Sequence, residues 1–118
     1  MSDHPDEYVT LDGSVVRELI RPETSAAQHL SVALARVAPG RPTRPHRHGT
    51  SEEVYCVLRG EGLVIVGAKT RPVASGDCVL IPPGTVHWAQ AEGAEPLELL
   101  CVCAPPYQHA DTELLETH

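Results

Sequence analysis

Glycine and proline punctuate this chain at close intervals, and the punctuation holds most apolar segments to strand length. Nine glycines and eleven prolines fall within 118 residues. Val15 to Ile20 reads as a strand ended by Arg21-Pro22. The stretch HLSVALARV alternates Leu30, Val32 and Leu34 against Ser31, Ala33 and Ala35, the period of a half-buried strand. Val54 to Leu58 is apolar at every position. Leu63 to Val66, Thr70 to Ala74, Cys78 to Ile81, Val86 to Gln90 and Leu97 to Ala104 follow, with turn residues between them. Short strands spaced by such turns predict an all-β sandwich or barrel. Only the tail, DTELLETH, reads as helical, with Asp111 or Thr112 as its cap.

A chain of this length suits one domain with a modest core. Its apolar runs fall far short of the roughly 18 residues a membrane span needs. The start, MSDHPDEYVT, is acidic and polar, unlike a secretion signal. A net charge of −7 argues against a nucleic-acid partner or an anionic membrane, either of which favours a basic face. Cys56, Cys78, Cys101 and Cys103 show no CxxC spacing, so reduced thiols and a cytoplasmic location are expected.

The chemistry concentrates in GRPTRPHRHGTSEEVYCVLRG, residues 40 to 60. In an extended chain, side chains two residues apart share a face, so His46 and His48 project together. Glu53 returns to that face once the loop 49–51 has turned the chain. Two imidazoles and a carboxylate suit a divalent metal such as zinc, iron, manganese or nickel. A fourth ligand must come from another strand, and His87, just after the turn PPGTV, is the candidate. Four protein ligands leave a position open on a five- or six-coordinate ion, which separates a reactive site from a closed structural one.

At these residues the chain resembles the cupin superfamily. Its first motif is a glycine, five residues, HxH, three or four residues, a glutamate, six residues and a glycine. Here that reads Gly40, RPTRP, His46, Arg47, His48, GTSE, Glu53, VYCVLR, Gly60. The second motif reads Gly76, DCVLI, Pro82, Pro83, Gly84, TV, His87, WAQ and then Ala91, where the family has asparagine. The asparagine is not a ligand, so its replacement puts only a supporting hydrogen bond in doubt. The resemblance implies a small antiparallel jelly-roll β-barrel holding one divalent metal (Fe, Mn, Zn or Ni) on His46, His48, Glu53 and His87. It divides the single domain 1–118 into N-terminal strands 1–39, a metal-binding core 40–104 and a tail 105–118. The six-residue gap to Gly60 selects Glu53 over Glu52, which would face the other way.

Neighbouring residues extend this reading. Tyr55 shares the face of Glu53, where a phenol can act as acid or base or simply fill the barrel. Trp88 points away from the metal. Cys101 and Cys103 share a face of the last strand and read as small core residues rather than pocket lining, while Cys56 faces outward. His4, His29, His109 and His118 match no ligand pattern. Three neutral imidazoles and one carboxylate leave a divalent ion at +1, which favours a bidentate anion, and Arg41, Arg44 and Arg47 can draw one in. An enzyme acting on a small polar or anionic metabolite is expected, with dioxygenase-like oxidation first. A Lewis-acid isomerase, cyclase or lyase comes next, then a non-enzymatic metal or small-molecule sensor. Val54, Cys56 and Leu58 make the outer face of a strand apolar where Tyr55 and Val57 already make the inner one so, which predicts a homodimer.

Overall fold

A computed structural model describes residues 7–115. The strands are β1 (Glu7–Val9), β2 (Val15–Ile20), β3 (Ser31–Val37), β4 (His46–His48), β5 (Glu52–Arg59) and β6 (Glu61–Val66). After them come β7 (Lys69–Ala74), β8 (Cys78–Ile81), β9 (His87–Glu92), β10 (Leu97–Ala104) and β11 (Thr112–Leu114). They form two antiparallel sheets, one in the order β1-β2-β3-β10-β5-β8 and the other β11-β4-β9-β6-β7. This is the all-β architecture expected from the turn spacing, in the jelly-roll form that the resemblance implies. Among the described residues no helix is long and apolar enough to cross a membrane.

The two sheets close on a shared interior. Val37, Val57, Leu97 and Leu99 from the first sheet meet Val64, Val73 and Ala89 from the second. Each fully buried side chain of valine or leucine size contributes roughly 1.5–3 kcal/mol. Gly60, which ends the first motif, has its reason here. It adopts φ +83°, and a Cβ would sit 2.3 Å from the Pro96 carbonyl oxygen. The chain can turn from β5 into β6 beside β10 only without a side chain at that point.

One expectation is corrected. The helical reading of the tail fails: one 3-10 turn at His109–Asp111 leads straight into β11, which pairs with β4. The unpaired backbone of β4 supplies a partner that a short local helix lacks, and this outweighs the capping signal. Residues 116–118 of the tail lie outside the described residues. In β3 the alternation holds, yet the small set faces inward: Ser31 and Ala35 are buried, while Leu30 is exposed and Val32 and Leu34 are half-buried. Large side chains there would fill the space that a cavity occupies. Cys103 is buried in the core and Cys101 packs against it, and both also border that cavity.

Candidate metal centre

The site forms where a strand from each sheet meets. On β4, His46 and His48 both turn inward and are buried, while Arg47 between them is exposed. Their neighbour β9 begins at His87, whose Cα lies opposite that of His46. From the facing sheet, β5 supplies Glu53, buried, with Glu52 exposed beside it. His46, His48, Glu53 and His87 each offer a ligand atom, and these atoms lie within 4.8 Å of one another. The cluster can therefore hold a metal ion.

Hydrogen bonds fix which nitrogen each imidazole presents. Nδ1 of His46 lies 2.9 Å from the Arg44 carbonyl oxygen and Nδ1 of His87 lies 2.9 Å from that of Thr85. A carbonyl can only accept, so both Nδ1 atoms carry the proton. Nδ1 of His48 meets Thr112 Oγ1 at 3.0 Å, and that hydroxyl donates to the Gln108 carbonyl oxygen, also at 3.0 Å. The hydroxyl proton is thus committed, and Thr112 accepts from His48. All three Nε2 atoms are left facing the centre, the arrangement metal-binding histidines need.

Electrostatics agree with a cation at the centre. Burial alone would raise the Glu53 carboxyl, but its close contacts with the His48 and His87 imidazoles outweigh it and bring it down to about 2. Its Oε1 lies 3.1 Å from His48 Nε2 and 3.3 Å from His87 Nε2. Burial lowers His46, as does the neighbouring His87, so this imidazole stays neutral and keeps its lone pair. Burial raises the Tyr55 phenol well above its ordinary range, and the Glu53 charge adds to the rise. Tyr55 is therefore a protonated donor, its ring 5.7 Å from that of His87.

A cavity opens on this cluster. Its volume is about 60 Å³. Tyr55, Cys101, Cys103, Asp12 and Tyr107 are among the side chains lining it. Arg41, Arg44 and Arg47 are exposed and line no part of it; Arg47 pairs with Glu113. Trp88 is half-buried on the opposite face of β9 from His87. Ala91, at the motif's asparagine position, packs in the core opposite Gly62 and makes no use of a polar group. Among the other histidines, His29 is exposed and His109 bonds Tyr107; His4 and His118 lie outside the described residues.

Three contributors escaped the sequence reading: Asp12, Asp111 and Thr112. Asp12, in the turn between β1 and β2, puts Oδ2 3.7 Å from His46 Nε2. Asp111 clamps the loop joining His48 to Glu53, accepting from Thr50 N, Thr50 Oγ1 and Ser51 N at 3.0 to 3.3 Å. Partial burial opposes ionisation of Asp111, but these donors prevail and lower its carboxyl. No motif flagged either aspartate.

Comparison with known proteins places this geometry in a family. The cupin domain model matches residues 33–103. Uncharacterized protein MJ1618 of Methanocaldococcus jannaschii is 44% identical over 109 residues, covering 92% of this chain and 87% of that one. Oxalate oxidase GF-2.8 of Triticum aestivum is 37% identical over 89 residues, 67% of this chain but 40% of the oxidase. The structure of oxalate decarboxylase from Lactobacillus farciminis, a formate complex, superposes with a TM-score of 0.79 at 26% identity. That match covers 92% of this chain and 33% of the decarboxylase, so the chain spans less than half the length of either oxalate enzyme. With the family model matching well over half its length, this chain is a member of the cupin family.

Proposed function

We propose that the protein is a metal-dependent enzyme acting on a small polar metabolite, with oxidation the first reading. The observation that carries it is the buried His46–His48–Glu53–His87 cluster, of which His46, His48 and Glu53 border the adjoining cavity. The wheat relative named as an oxalate oxidase supports oxidation within this family. A bound iron or manganese would activate oxygen or a chelated substrate, and zinc or nickel would polarise a carbonyl. The histidines and Glu53 would hold the ion. Tyr55, kept protonated, would donate a hydrogen bond to whatever occupies the open side of the centre. The apolar wall formed by Val37, Ala89 and Leu99 would exclude bulk water.

Oxygen uptake by the iron- or manganese-loaded protein, with a panel of small hydroxy and keto compounds, tests the reading. Uptake that depends on both metal and compound supports oxidation. Turnover of a compound without oxygen points instead to the Lewis-acid isomerase, cyclase or lyase class, and tight binding without turnover to a sensor. In whichever assay shows turnover, Tyr55→Phe should lower kcat by roughly 10²-fold with unchanged metal content. An unaltered kcat would return Tyr55 to the role of barrel filler.

The outer face of the six-stranded sheet supports a homodimer as part of this proposal. Val54, Cys56, Leu58, Leu80, Leu100 and Val102 lie side by side across β8, β5 and β10. Leu58 is 46% and Leu80 57% exposed. A second copy covers such a patch with itself across a two-fold axis. Light scattering should give twice the 12.7 kDa chain mass; a monomer at micromolar concentration would remove the dimer.

A further inference from the structure

The expectation of an anionic ligand rested on the centre's surplus charge, and the cavity's own side chains speak against that surplus. Among the described residues no lysine or arginine lines the cavity, whereas three carboxylates do: Asp12, Glu18 and Glu53. Glu53 belongs to the cluster. Glu18 accepts from the Tyr8 hydroxyl at 2.8 Å. Asp12 is buried, and its Oδ1 is engaged by Ser14, from N at 2.9 Å and from Oγ at 2.7 Å. These two bonds fix the carboxylate plane, which leaves Oδ2 facing His46 Nε2. That nitrogen points to the centre, so Asp12 presents a second negative charge beside any ion held there. Two carboxylates cancel the formal charge of a divalent ion. A carboxylate ligand would then add uncompensated negative charge in a low-dielectric space.

Beside its apolar wall the cavity also carries hydroxyls, those of Thr10, Ser14, Ser31, Tyr55 and Tyr107. Such groups both donate and accept, and with carboxylate acceptors among them they match a ligand that itself carries several hydroxyls.

We infer that the cavity takes a neutral, polyhydroxylated small molecule, and that Asp12 sets this preference by accepting from a ligand hydroxyl at the centre and repelling carboxylates. This rests on the metal-enzyme reading above, from which it can be separated by experiment. Asp12 is a specificity residue here, outside the four-residue cluster.

D-ribose and D-ribonate serve as probes, because both are five-carbon polyhydroxy compounds and only D-ribonate carries a carboxylate. Calorimetric titration of the nickel-loaded protein should show wild-type binding D-ribose at least as tightly as D-ribonate. In Asp12→Asn, which keeps the side chain's shape and removes its charge, D-ribonate should gain at least tenfold relative to D-ribose. Nickel content, measured on both proteins by elemental analysis, should be equal and near one per chain. Wild-type protein that prefers D-ribonate, or a preference that Asp12→Asn leaves unmoved, overturns the inference while leaving the metal reading standing. Failure of the wild-type protein to bind nickel, zinc, iron or manganese removes both. Loss of nickel from Asp12→Asn alone also overturns it, since Asp12 would then be a ligand of the ion and not a selector of its guest.

Discussion

His87→Ala is expected to empty the centre and erase the stabilisation that metal brings. The wild-type chain should gain stability on loading by about 4 kcal/mol when free metal stands a thousandfold above its Kd. For a domain of this size that corresponds to a rise in Tm of roughly 10–25 °C. The gain depends on ligand atoms from separate strands being held together before the ion arrives. His87 is 0% exposed, and its Nδ1–H is pinned by the Thr85 carbonyl, which holds its Nε2 at the centre. Alanine also leaves a void and deprives Glu53 of one of its two imidazole partners, so the metal-free variant should itself melt lower. The difference between loaded and metal-free melting temperatures is therefore the quantity to read. It should fall to within a degree or two of zero, with metal content below a tenth per chain. The exposed His29→Ala should keep both at wild-type values. Full metal content in His87→Ala would sink the proposed ligand set.

How much of this was legible before the chain was folded depends on how far apart the partners lie. Strand period alone puts His46 beside His48 and separates Glu53 from Glu52, because side-chain direction is a local property of an extended backbone. The turn residues likewise mark the ends of β6, β7 and β8. Motif spacing reached across 34 residues to join His87 to Glu53, and the structure brings the two within 3.3 Å. What was not legible is set by pairing. The small face of β3 turned inward because the interior must hold a cavity, a fact invisible to alternation, which gives the period but not which face is buried. Asp12 reaches His46 from a turn 34 residues away, and nothing in its surroundings distinguishes it from any other turn aspartate. The tail misled for a related reason. Asp111 and Thr112 look like helix caps, but their oxygens are spent elsewhere: Asp111 on Thr50 and Ser51, Thr112 on Gln108 and His48. A capping residue is recognised by the acceptor it offers, and here that acceptor serves a loop and an imidazole 60 or more residues back.

Thr112→Val should therefore weaken metal binding although Thr112 touches no metal. Valine matches threonine in shape and favours strand conformation, so β11 and its pairing with β4 should persist. What disappears is the acceptor for His48 Nδ1–H. A buried imidazole that loses this partner is free to rotate or to carry its proton on Nε2, and either change turns the lone pair away from the centre. Loss of such an orienting group typically costs 10–100-fold in affinity, or about 1.4–2.7 kcal/mol. The metal-free protein should lose only the net worth of one neutral hydrogen bond, about 1 kcal/mol. Competition against a chelator of known affinity measures the first effect, and a denaturant titration of metal-free protein the second. Thr112→Ser, which restores a hydroxyl at the same atom, should recover most of the lost affinity. If the valine variant holds metal within threefold of wild type, His48 is oriented by its packing alone. If serine fails to rescue a weakened site, the loss belongs to the strand and not to the hydrogen bond. The tail then contributes to the centre only as far as its hydroxyl does, and this pair of variants reads that contribution apart from folding.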